Sequence, residues 1–162
     1  MYKRQHLDFV LAGAGLDDAG REQLRELNQR LSELSTTFGQ NLVVATEAAA
    51  VLVTDEAELA GLSPAEVQAA AGAAAERGHE GGYLLTLVLP SGQPAMAKLT
   101  DRGLRRRLHE ASLTRASAGE HDNGPVAAEM AHLRAVRARL LGFDTHADLI
   151  ACLLYTSDAA DE

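Results

Sequence analysis

Leu24, Leu27, Leu31, Leu34, Phe38 and Leu42 follow one another at spacings of three or four residues. That rhythm matches the 3.6-residue turn of an α-helix and places all of them on one stripe. Arg21, Glu22, Arg25, Glu26 and Arg30 fall mostly on the opposite face. Leu16-Asp17-Asp18 opens the helix, with a carboxylate to accept the free N–H groups of the first turn and to meet its positive end. A helix this long cannot leave its stripe in water, so a partner helix must cover it. The stripe is read as core rather than as a recognition groove.

The remaining punctuation is consistent with a mainly helical chain. A helix ends near Phe9-Val10-Leu11, stopped by Gly13 and Gly15. Ala50–Thr54 reads as a short strand. Ser63-Pro64-Ala65-Glu66 starts a helix with three agreeing signals: a capping serine, a proline at the first position and a glutamate that completes a capping box. This helix runs through alanines to Arg77 and stops at Gly78. Tyr83–Leu89 reads as a second strand, apolar except for Thr86. With a helix between them the two strands cannot form a tight hairpin, but they can still pair, in a direction periodicity leaves open. Pro90-Ser91-Gly92 reads as a turn. A helix follows from about Thr100, burying Leu104, Leu108 and Ala111, although Gly103 near its start costs about 1 kcal/mol relative to alanine. Gly119–Gly124 reads as a polar loop. Pro125 starts another amphipathic helix through Val126, Met130, Leu133, Val136 or Arg137, and Leu140. Gly142 closes it, and Asp144 or Thr145 caps a last helix. The expected class is mainly α with a small two-strand β element.

Composition excludes several functions. The 162 residues fit one ordinary domain, and the aliphatic content argues against disorder. A net charge of −8 argues against binding nucleic acid by neutralising phosphates. The longest uncharged stretch, Gly81–Ala97, is broken by glycines and prolines, so no membrane span is expected. Lys3, Arg4 and the apolar Leu7–Gly15 mimic a signal peptide, but Asp8 interrupts them. The single cysteine, Cys152, allows no disulfide framework and no cysteine-rich zinc site, and a reducing, cytoplasmic location is expected.

Motifs for chemistry are missing. Histidines stand at positions 6, 79, 109, 121, 132 and 146, no two of them four apart, so there is no His-Glu-x-x-His zinc helix. His121, between Glu120 and Asp122, reads as part of a solvated loop, and His109 and His132 as surface residues. Gly61-Leu62-Ser63 begins like a nucleophile elbow, but Ala65 stands where the second glycine belongs, and Ser63 is better read as a cap. Gly13-Ala14-Gly15 lacks its third glycine at Asp18 and follows a helix, so it is no dinucleotide fingerprint. Arg102, Arg105, Arg106 and Arg107 form a basic cluster that reads as a solvated helix face, with Glu110 within reach of Arg106 and Arg107. No catalytic, cofactor-binding or metal-binding residue is expected.

Several blocks in order resemble the thimet oligopeptidase and peptidyl-dipeptidase family of zinc metallopeptidases. They are DFVLAGAGL at 8–16, the helix beginning near Asp17, AELAGLSPAEV at 57–67, SGQPA at 91–95, LTDRGLRRRLHEASLTRA at 99–116 and LRAVRARLLGFDTHADL at 133–149. The first and second blocks resemble the bacterial dipeptidyl carboxypeptidase branch in particular. The resemblance implies two mostly helical lobes around a deep channel, this stretch belonging to one lobe's wall in the N-terminal half. It also implies that short, unfolded peptides are the substrates and that C-terminal dipeptides are released. The family's zinc lies far downstream, on a His-Glu-x-x-His helix with a later glutamate, where it polarises the scissile carbonyl and activates water. None of those positions is present, so zinc is expected only in a full-length enzyme, none is bound by this stretch, and the stretch alone is expected to be inactive. Internal cleavage of oligopeptides is the rival within the family. From another class, the rival is a non-catalytic helical interaction module.

The ends carry a further expectation. Cys152–Glu162, CLLYTSDAADE, resembles the translation of a transposase-type sequencing adapter, and Met1–Gln5, MYKRQ, that of its reverse complement. Residues 1–5 and 152–162 are therefore read as non-native, and residues 6–151 as a helical piece of a peptidase lobe whose remainder is missing.

Overall fold

A computed structural model describes residues 9–88 and 92–151. The expectations for His6, Leu89-Pro90-Ser91, Cys152 and both adapter-like ends lie outside these residues. The chain divides into two compact units, one formed by residues up to Phe38 together with those from Pro125 onward, the other by Gly39–Gly124.

In the first unit, residues 9–11 are helical and the chain turns at Gly13, whose φ of 90° favours glycine. Helix α1 (Asp18–Ala48) begins where Asp17 Oδ1 accepts the Gly20 N–H at 2.8 Å. Leu24, Leu27, Leu31 and Leu34 of the stripe are buried, and Phe38 is half-buried. A helix of the same unit is bridged to α1 by side chains. It is the helix expected from Pro125, which spans Gly124–Leu140. Arg30 on α1 donates to both carboxylate oxygens of Glu129 on this helix, at 2.7 and 3.0 Å. Val126, Met130, Leu133, Val136, Arg137 and Leu140 are half-buried, and Ala138 is fully buried. Gly142 ends the helix at φ 85°, with the Phe143 N–H on the Ala138 carbonyl at 2.9 Å. Thr145, not Asp144, caps the last helical stretch. Its Oγ1 accepts the Asp148 N–H at 3.1 Å, and Asp148 Oδ2 accepts the Thr145 N–H at 3.1 Å.

The second unit carries the β element. Strands β1 (Val51–Val53) and β2 (Tyr83–Leu85) pair antiparallel, with Val51 opposite Leu85 and Val53 opposite Tyr83. The second strand is shorter than the expected Tyr83–Leu89. A ladder beyond Leu85 would need Ala50 and Ala49 as partners, but the Ala49 N–H is already bonded to Ala45 as α1 ends. Leu87 instead packs on the core and Val88 is exposed. After a single 3₁₀ turn (Glu56–Leu59), helix α2 (Pro64–Glu76) starts with the full capping box. Ser63 Oγ accepts the Glu66 N–H and Glu66 Oε2 accepts the Ser63 N–H at 2.8 Å.

Helix α3 (Gly92–Lys98) was not expected. Gly92, read as the end of a turn, is its first residue. Helix α4 (Arg102–Thr114) follows, capped by Asp101 Oδ1 on the Leu104 N–H, so it starts just after the expected Thr100. Helix α5 is the Gly124–Leu140 helix described above. Val53, Leu59, Ala70, Leu85, Ala95, Leu99, Leu104 and Leu108 form the second unit's core. Between α4 and α5 the expected polar loop contains a 3₁₀ turn (Gly119–His121) and is not wholly solvated. Asn123 is buried, its Oδ1 accepting from Asn41 Nδ2 at 3.0 Å.

Candidate functional site

An apolar concavity lies in the second unit. Alanines of α2 (Ala65, Ala69, Ala70 and Ala73) form one side, while Leu84 and Leu85 of β2 and Pro94 of α3 form the other. Its volume is about 470 Å³, within the range of small-molecule sites. It exists because α2 presents methyl groups rather than larger side chains, so the facing elements enclose space that bulkier residues would fill. The sequence reading missed this groove because one wall depends on α3.

Its polar lining is sparse. Glu66 is the one carboxylate on it, and Thr86 contributes a hydroxyl. Lys98 Nζ donates to Glu66 Oε1 at 2.7 Å, and Ser63 donates to Oε2 from both its hydroxyl and its N–H. These partners, Lys98 first, lower the Glu66 pKa from 4.5 to about 2. An acid this strong stays ionised at neutral pH and is a poor proton donor there. The groove can therefore hold an apolar group but offers no acid–base or nucleophilic pair.

The shift has a consequence for stability. A carboxylate whose pKa is lower when folded stabilises the fold above its unfolded value, and the effect is lost as pH falls through the folded value. Glu66 should thus make the second unit acid-sensitive between about 4.5 and about 2. Glu66→Gln is expected to cost stability at neutral pH and to converge on the parent at the acid end. Urea melts across that range would show it, and a gap independent of pH would count against this assignment.

The other candidates separate. His109 and His132 are exposed, and His121 approaches Asn41 Oδ1 at 3.4 Å. Among the described residues no three His, Cys, Asp or Glu side chains gather as a metal site would require. Arg106 pairs with Glu110 at 2.7 Å, and Arg107 pairs with Glu58. Arg102 and Arg105 are exposed on the same helix. Gly61 is close to backbone rather than to a ligand, at φ 103° beside Lys98. No described helix is long and apolar enough to cross a membrane.

Comparison with known proteins gives the context that the side chains do not. No protein-family model matches the chain. A probable cytosolic oligopeptidase A of Arabidopsis thaliana is 36% identical over an alignment taking in all of this chain and 24% of that protein. Oligopeptidase A of Salmonella typhimurium is 43% identical over 86% of this chain and 21% of its own length. Dipeptidyl carboxypeptidase of the same organism is 41% identical over 88% of this chain and 21% of its own. The chain spans between a fifth and a quarter of the length of these curated relatives.

Proposed function

This chain belongs to the thimet oligopeptidase and peptidyl-dipeptidase family, and on that premise we propose that it is one section of a zinc peptidase that cleaves short peptides. The observation that carries the reading is the identity of 41–43% to bacterial peptidases along most of the chain. Release of C-terminal dipeptides is the activity proposed first, in keeping with the resemblance of the opening blocks to the dipeptidyl carboxypeptidase branch. Internal cleavage of oligopeptides is the second reading, favoured by the relatives named oligopeptidase A. The proposed location is the cytoplasm.

The described residues do not fit a zinc site, since no three potential ligands come together. The proposal therefore places the zinc ligands, and every step that uses the metal, elsewhere in the whole enzyme. What this section contributes is wall: a long helix with its stripe buried, and a second core carrying an apolar groove. The same absence of paired chemistry is compatible with a helical interaction module, which the peptidase relatives disfavour.

The test is genetic and biochemical. DNA downstream of the codon for Ala151 should continue in frame to a His-Glu-x-x-His motif, and the full product should hydrolyse short peptides in a zinc-dependent way. A stop codon soon after Ala151 without such a motif would sink the peptidase reading. The purified 162-residue chain, supplied with zinc, is expected to hydrolyse no peptide. Zinc-dependent turnover that cofractionated with the chain and vanished in a His109→Ala or His121→Ala variant would contradict this placement of the metal.

A further inference from the structure

The first unit holds a second concavity, of about 520 Å³, with a different chemistry. Asn28 and Ser32 of α1 line one side, Arg134 and Arg137 of α5 another, and His146 the end. Arg137 Nη1 donates to Asn28 Oδ1 at 3.1 Å. Its Nε is buried and has no partner among the described residues, and the same is true of His146 Nδ1. A buried donor left unmade costs about 1–3 kcal/mol, so the Arg137 Nε–H calls for an acceptor, and His146 Nδ1 can donate to the same group in the tautomer that carries its proton there.

The charges around the pocket sharpen the choice. Neither Arg134 nor Arg137 has a carboxylate within ion-pair distance among the described residues. Glu33 and Glu129 are engaged on Arg30, and Asp148 on Thr145. Burial, Arg134 and Arg137 together lower the pKa of His146, as expected for a ring facing two guanidinium groups. The pocket thus combines net positive charge, an unspent guanidinium N–H, a ring nitrogen able to donate and room for more than a single atom. A guanidinium edge with a free Nε matches a carboxylate better than a spherical ion, because two parallel N–H groups meet two oxygens.

We propose that this pocket is a carboxylate-binding site, in which Arg137 and Arg134 hold the anion and the His146 Nδ1–H donates to it. The acid can come from the C-terminal end of a peptide or from an acidic side chain of a protein segment. The site goes beyond the peptidase reading, since it needs neither zinc nor hydrolysis.

Two small probes distinguish the sources: N-acetyl-glycylglycine presents a chain-end carboxylate, and N-acetyl-aspartate amide a side-chain one. Each would be titrated into the 162-residue chain while the ring signals of His146 are followed by NMR, assigned with His146→Gln. Saturable shifts with either probe support the site, and the tighter probe identifies the source. The amidated form of the glycylglycine probe should give no shift. Arg134→Gln, at an exposed position, should weaken binding about tenfold or more without unfolding the unit, and Arg137→Gln should do the same. Three results would overturn the proposal: no shift with either probe, undiminished binding in both variants, or an equal response to sulfate. Failure here would leave the peptidase reading untouched, because that reading rests on the in-frame zinc motif.

Discussion

Leu104→Ala is expected to destabilise the second unit by about 2–5 kcal/mol. Leu104 is fully buried, one of the largest side chains in a core that also contains Val53, Leu59, Leu99 and Leu108. The core around it is drawn from a strand, a 3₁₀ turn, the link before α4 and α4 itself, so no single rigid element can move in to close the space. The loss should therefore include a cavity as well as lost transfer energy, and the upper half of the range is expected. Against a domain stability of about 5–15 kcal/mol, this is a large share. Urea unfolding of the parent and variant would measure it. Leu113→Ala, one helix face away and 67% exposed, is the comparison and should change stability by less than about 0.5 kcal/mol. Similar losses in both variants would show that α4 does not bury the face assigned to it.

The parts of this fold that were legible in the sequence share one property: their signals are local. Ser63, Pro64 and Glu66 lie within one turn, and the structure forms the whole capping box they specify. The stripe from Leu24 to Leu34 is buried because the helical period alone decides which residues share a face. The second strand stops at Leu85 because its partner runs out of free backbone, and residues 83–89 carry no record of where α1 ends. Helix α3 is short, and its glycine and proline punctuate as a turn does when read alone. The candidate sites were less legible still. The α2 groove needs alanines on one helix to face a helix that was not foreseen. The pocket around Arg137 and His146 joins α1 to residues more than a hundred positions away, and nothing nearby in sequence marks either side chain as unpartnered. Asn123 escaped for the same reason, since its partner is Asn41.

Gly61→Ala is the second large effect expected, and it gives the start of the Gly61-Leu62-Ser63 sequence its physical meaning. Gly61 lies at φ 103°, where residues with a β-carbon are strained, and an added Cβ would sit 2.1 Å from the Lys98 carbonyl oxygen. That oxygen is backbone and cannot swing aside as a side chain does. The close approach is held by Thr100, whose N–H and Oγ1 both donate to the Ala60 carbonyl, at 2.9 and 3.1 Å. An alanine must push the Ala60–Gly61 link off the end of α3, so strain and the lost hydrogen bonds add. The expected cost is about 3 kcal/mol or more. Gly72→Ala is the opposite case, since Gly72 is inside α2 with open space around it, and it should stabilise by about 0.5–1 kcal/mol. Thermal melts would give the two signs, and hydrogen exchange at the Thr100 N–H would locate the first. Equal and small effects would mean that the α2–α3 contact, and the groove it walls, does not depend on Gly61. Opposite signs, with Thr100 exchanging faster only in Gly61→Ala, would identify this glycine as what lets α2 and α3 meet, which is why a segment that begins like a nucleophile elbow serves packing instead.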